Sequence, residues 1–227
     1  MVPYQNPTVF FGNIRVDEPI TVLTDLLVVG ICFFSFIKTR GENQSTAIKL
    51  YRWFILTTGI STLVSAIIGH AFLYHFGFEA KIYGWVSGMA SIVFAQFAAI
   101  YHSRSFLSKA TFKSWLIVNA FEIVLAYVLL FVIFSFVIVE VHSAFGLVVT
   151  VTILEYTHYK RSQSLLSKYM VIGVGVAVLA VLCHVFKLAF SVWFNHLDLS
   201  HIIIAIAVYM MHKGIYLENK QEQTIKR

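Results

Sequence analysis

The sequence predicts an all-α, polytopic membrane protein: a seven-transmembrane helix bundle with the N-terminus outside and the C-terminus cytoplasmic. Three observations carry this. First, 59% of the 227 residues are hydrophobic and only 12% are charged, whereas a soluble domain is about 25% charged. Second, apolar runs long enough to cross a bilayer core recur along the chain. Third, the basic residues gather in alternate connections, as the positive-inside bias requires.

The first helix is expected at about 20–37, with Pro19 placed to start it. The second is expected at 50–76, the third at 82–101 and the fourth at 115–135. The fifth is expected at 139–157, the sixth at 169–193 and the seventh at 197–217. The stretch 115–157 has no proline, and Ser135, Glu140, His142 and Ser143 interrupt it near its middle. As one helix it would be about 60 Å long, twice the core of a bilayer, so it must fold back. This gives an extracytoplasmic segment 1–18, a membrane domain 19–217 and a solvated cytoplasmic tail 218–227. No cleavable signal peptide is recognisable.

Loops 38–52, 104–113 and 160–168 and the C-terminal end from Lys213 onward hold all Lys and Arg except Arg15, Lys81 and Lys187. That placement accounts for the formal charge of +6 without a nucleic-acid partner. The expected surroundings are membrane lipids, in a bacterial inner membrane. Cys32 and Cys183 lie in apolar runs of different helices and suggest no disulfide framework. Tyr51, Trp53, Tyr83, Trp85, Trp115 and Trp193 sit near helix ends as an aromatic belt. Gly84, Ser87, Gly88 and Ser91 mark a close helix contact on the third helix.

The ionisable residues inside these runs point to function. Asp25, His70, Lys187 and His201 each lie some five to seven residues inside an expected outer end, in one layer about 7–11 Å deep. On insertion scales each such group costs about 2.5–3.5 kcal/mol, so a shared layer needs a reason. The seventh helix opens Asn195-His196-Leu197-Asp198-Leu199-Ser200-His201. There Asp198 and His201 share a helical face, and His196 converges on them only from the entering loop. Asn195 and Asp198 also suit a helix N-cap. The second helix brings His70 and His75 to the same end, and their five-residue spacing sends them to different faces.

Neutral imidazoles with a carboxylate suit Zn²⁺. The expected metal ligands are therefore His70 or His75, His196 and His201, with Asp25 or Asp198 as fourth ligand or general base. Two further readings stand beside this. Asp25 and Lys187 could form an ion pair between the first and sixth helices, or serve with Glu122 as proton or ion sites of a transporter. Alternatively, His184 with His70 and His102 with His158 could clamp haem. His102, His158 and His212 otherwise read as interfacial residues, and Glu122 and Glu155 as interhelical hydrogen-bonding groups.

Seven helices, a His at the outer end of the second and a His pair opening the seventh resemble the alkaline ceramidase and adiponectin-receptor superfamily. The resemblance covers the whole topology. It implies a membrane zinc amidase, with zinc on His70 or His75, His196 and His201, acting on a lipid amide or ester. The spacing departs from that family: the pair here is H-x4-H, not H-x3-H, and Ala66 or Ala71 stands where the family has Ser. Lys81 or Val86 stands where it has Asp. Thr24-Asp25 and the N-H-x-D-x-x-H segment also look like an uncharacterised bacterial seven-helix family.

Overall fold

The computed structural model describes residues 7–225 apart from Asn43. Lys226 and Arg227, which the charge pattern counts with the tail, lie outside the described residues.

The chain opens with a hairpin not expected from the sequence. Strands β1 (Thr8–Phe11) and β2 (Ile14–Asp17) pair antiparallel, with Thr8 opposite Asp17. Gly12, at φ +61°, begins the two-residue turn, the position that such tight turns reserve for glycine. Arg15 pairs with Asp17 at 2.8 Å and lies over the Tyr74 ring. The Asp17 hydrogen bond holds the Arg15 guanidinium above its ordinary pKa.

Seven helices follow that are long and apolar enough to cross a membrane. They are α1 (Pro19–Lys38), α2 (Thr46–Ala71), α3 (Phe78–Phe106), α4 (Lys109–Ile133), α5 (Phe136–Ser162), α6 (Leu165–Val185) and α7 (His196–Thr224). Pro19 stands in the first turn of α1. Four of the helices begin on a serine: the hydroxyls of Ser45, Ser108, Ser135 and Ser164 accept backbone N–H groups of the first turns of α2, α4, α5 and α6. Each cap satisfies a first-turn donor that has no partner within its helix. The foldback inside 115–157 falls at Phe134-Ser135, where Phe134 adopts φ 50° and Ser135 starts α5.

The sixth helix departs most from expectation, running from Leu165 to Val185 rather than over 169–193. Ser164 starts it early. Phe186 ends it, and Lys187 follows at φ 49°. The apolar, aromatic stretch up to Phe194 reads as helix by hydropathy, yet it is a connection with exposed Phe186, Phe190 and Trp193. Lys187 is consequently outside α6, exposed, and not at the depth of Asp25.

Helix α1 packs between α2 and α7, α2 lies along α3, and α6 lies along α7. Helix α5 bridges α3 and α6, while α4 leans on α3 and α5 and is the least buried span. Small residues allow the close approaches. A Cβ on Gly59 would lie 2.7 Å from the Cys32 Cβ, and one on Gly84 would collide with the Ser65 hydroxyl. Ser61 meanwhile donates to the Gly84 carbonyl at 2.9 Å. Two of these spans are not pure α-helix: Ser65–Ala71 in α2 and Phe145–Val151 in α5 are π-helical. Such segments hold one extra residue per turn and turn the side chains beyond them.

Candidate functional site

The end of the bundle that carries the hairpin gathers two imidazoles and two carboxylates from α1, α2, α7 and the residue before α1. Thr21, Thr24 and Asp25 lie on the buried face of α1, at helical spacing. Glu18 sits just before the helix at φ 47°, its N–H donating to the Pro7 carbonyl. A non-glycine residue in the left-handed region is strained and marks a position held by its surroundings. The Glu18 carboxylate meets His70 Nδ1 at 2.5 Å. His70 lies in the π-helical end of α2, and its Nε2 faces Asp25 Oδ2 at 3.8 Å. From α7, His201 Nδ1 lies 3.1 Å from Asp25 Oδ1 and 3.3 Å from the Thr24 hydroxyl. The two imidazole centroids are 6.2 Å apart.

Hydrogen-bond arithmetic assigns the protons. The Thr24 hydroxyl donates to the Thr21 carbonyl, so it faces His201 as an acceptor. His201 Nδ1 therefore carries a hydrogen. His70 Nδ1, against the Glu18 carboxylate, carries one too. A neutral His70 then turns a lone pair on Nε2 toward Asp25 Oδ2. That oxygen is buried and has no hydrogen-bond partner, in a residue only 2% exposed. Two acceptors facing each other in an apolar surround are stabilised by a proton or a cation.

Asp198 is placed next to this cluster but is already engaged. Its Oδ1 accepts from Thr21 at 2.7 Å and its Oδ2 accepts the Asn195 N–H at 2.6 Å. It docks α7 on α1 instead of facing the imidazoles. Asn195 caps α7 through the Leu197 N–H. His196 is directed elsewhere: its ring lies 5.2 Å from that of His184, which is itself 3.8 Å from Glu140. His75 stands in the exposed turn Leu73–Phe76, with its ring beside Phe76. Of the expected ligands, then, His70, His201 and Asp25 come together, while His75 and His196 do not join them.

The opposite, tail end holds a cluster whose imidazoles the sequence reading placed at the interface and whose Glu155 it read as an interhelical hydrogen-bonding group. Glu155 is fully buried on α5. It accepts from Tyr51 at 2.5 Å, from Ser167 at 2.6 Å and from His102 Nδ1 at 2.9 and 3.1 Å. His158, one turn further on α5, donates to Ser167 and stacks on His102 with centroids 3.9 Å apart. That contact leaves no room for a porphyrin between the rings, and His184 faces His196 rather than His70. The Glu155-x-x-His158 spacing was the available signal, since residues three apart share a helical face. His212 packs among Phe34, Tyr209 and Tyr216.

Between the ends, His142 is fully buried. Its Nδ1 lies 2.8 Å from Glu122 Oε1 and its Nε2 lies 3.2 Å from the Met89 carbonyl. Gln96 donates to the other Glu122 oxygen. Asn119, one turn before Glu122 on α4, accepts from Thr150.

Among the described residues, one trio of His, Cys, Asp or Glu has ligand atoms all within 4.8 Å of one another: His102, Glu155 and His158. His70, Asp25 and His201 are more widely spaced. No curated protein matches this chain, and no solved structure does. A family model described as DUF6962, a family of unknown function, matches residues 20–220. That match covers all seven spans and the groups of both end clusters except Glu18, and the chain belongs to this family.

Proposed function

We propose that this chain is a multi-pass membrane protein with its hairpin end outside, binding a divalent metal, Zn²⁺, between His70, His201 and Asp25. We further propose that it uses the ion to hydrolyse a lipid amide or ester. The observation that carries this is the Asp25 Oδ2 atom: buried, without a partner, and facing the His70 lone pair at 3.8 Å. Two imidazoles and a carboxylate fit such an ion. The ion supplies Lewis acidity toward water and an acyl carbonyl.

The chain's own groups hold and orient. Glu18 fixes the His70 ring from behind through Nδ1 and turns Nε2 inward, as carboxylates commonly do for metal-bound imidazoles. Thr24 and Asp25 fix His201. Asp198, held by Thr21 and Asn195, keeps α7 seated against α1. Asp25 is also the carboxylate best placed to take a proton. An acyl chain would reach the site from the surrounding lipid, between helices. The orientation rests on the basic residues of alternate connections, which put the tail end in the cytoplasm.

The test is lipid hydrolysis by detergent-purified protein beside elemental analysis. Wild type should release fatty acid and hold zinc, while Asp25→Asn and His201→Ala should lose the activity and the zinc of this site. Equal zinc content and equal turnover in all three would refute the reading.

A second reading, proton-coupled transport, is favoured by His142. Its Nδ1 shares one hydrogen with Glu122 and its Nε2 faces the Met89 carbonyl, which puts an exchangeable proton between an imidazole and a carboxyl group within an apolar span. Proton flux into proteoliposomes that Glu122→Gln abolishes would support it over the hydrolase.

A further inference from the structure

The tail end carries a second set of metal-ligating groups that the hairpin-end site does not use. Glu155 and His158 stand one turn apart on α5, and His102 meets them from the end of α3. One ligand atom from each lies within 4.8 Å of the other two. We propose that His102, Glu155 and His158 bind one first-row divalent transition-metal ion, as a two-histidine, one-carboxylate set at the tail end of the bundle.

The chemistry of the set argues for this. Imidazole and carboxylate together suit zinc, iron, cobalt and manganese, and three protein ligands leave positions open for water or a small anion. Two of the three ligands are also oriented from behind. Tyr51 on α2 and Ser167 on α6 both donate to Glu155. Because Ser167 gives its only hydroxyl hydrogen to Glu155, it receives the His158 Nδ1 hydrogen and leaves His158 Nε2 as a lone pair. Ser162 sits against the same Nδ1 at 3.1 Å. Partners of this kind fix tautomer and ring direction in metal sites.

Without metal, the hydrogen on His102 Nδ1 is shared between the two Glu155 oxygens. The ion takes its place and that proton leaves to solvent, as metal binding to protonated ligands requires. Entry is open at the end of α3, where the His102 side chain is 12% exposed while Glu155 is wholly enclosed. The site draws on α2, α3, α5 and α6, and the hairpin-end site draws on α1, α2 and α7, so the two share no ligand.

The experiment is a cobalt titration of full-length, detergent-purified protein after chelator treatment, read by visible ligand-field absorption and elemental analysis. Wild type and Asp25→Asn should both take up the tail-end cobalt. His102→Ala and Glu155→Gln should lose it. Tyr51→Phe, which keeps all three ligands and a near-identical ring, should weaken it about tenfold. Should Glu155→Gln fail to give monodisperse protein, His102→Ala and Tyr51→Phe decide the matter. Cobalt binding as tight in His102→Ala as in wild type overturns the proposal, and so does a wild type that takes up none. Loss of hydrolysis in Asp25→Asn with tail-end cobalt retained would separate this site from the hydrolytic one. Loss of all cobalt in Asp25→Asn alone would assign the metal to the hairpin end and sink the tail-end site.

Discussion

The two ends of the bundle solve the same problem in opposite ways. Each buries a carboxylate against two imidazoles in an apolar surround. At the tail end, Glu155 receives hydrogens from Tyr51, Ser167 and His102, and nothing on it is left over. At the hairpin end, Asp25 has His201 Nδ1 3.1 Å from Oδ1 and leaves Oδ2 bare, 3.8 Å from a ring nitrogen. A satisfied network rigidifies the helices that make it. An unsatisfied one is a place where the fold gives up stability, and such places cluster where proteins bind or react. The comparison sets a closed hydrogen-bond network at one end against a bare, buried acceptor at the other.

Substitution of the two acids breaks the comparison most sharply. Glu155→Ala strands three buried donors and should destabilise the protein by about 3–5 kcal/mol. Thermal unfolding in detergent, with the shift compared to wild type, measures it. Asp25→Asn should do the reverse: an amide removes the facing charge and can donate to His70 Nε2, so the melting temperature should hold or rise. If both variants unfold at the same lowered temperature, the two carboxylates are equally well satisfied and the contrast between the ends is gone. The middle pair gives an intermediate effect. His142→Leu removes the partner of Glu122 in an apolar span and should cost about 2–4 kcal/mol, most of it recovered in the double variant with Glu122→Leu. Gly84→Ala makes the Ser65 hydroxyl rotate aside between α2 and α3 and should cost about 0.5–1.5 kcal/mol without changing metal content. Arg15→Ala, at the exposed hairpin, should leave stability unchanged in the same assay.

Fold class and the number of spans were legible because composition and run length speak for themselves in so apolar a chain. Boundaries were less so. Ser45, Ser108 and Ser164 each start a helix several residues before hydropathy turns up, and a cap is a local hydrogen bond that hydropathy does not register. The connection after α6 misled for the converse reason. Phe186, Phe190 and Trp193 are as apolar as a helix interior but sit exposed in a turn-rich segment. In the site, Asp25, His70 and His201 stood out as lone ionisable residues in apolar runs. His75 and His196 were grouped with them by depth, and depth does not determine which way a ring points. Glu18 was missed because it precedes the helix. Its role depends on a left-handed backbone that nothing in the residues around it announces.

The π-helical stretch of α2 ties all this to the backbone. Its seven residues, Ser65–Ala71, accommodate one residue more than an α-helix would over the same rise. Wound as ordinary α-helix with no residue removed, the same stretch would turn whatever follows by about 100° around the helix axis. His70, the sixth of the seven residues, would swing out of reach of Glu18 and Asp25, although no ionisable group had been altered. Backbone winding alone thus decides whether this imidazole meets the two acids, while every acid and imidazole remains in the chain.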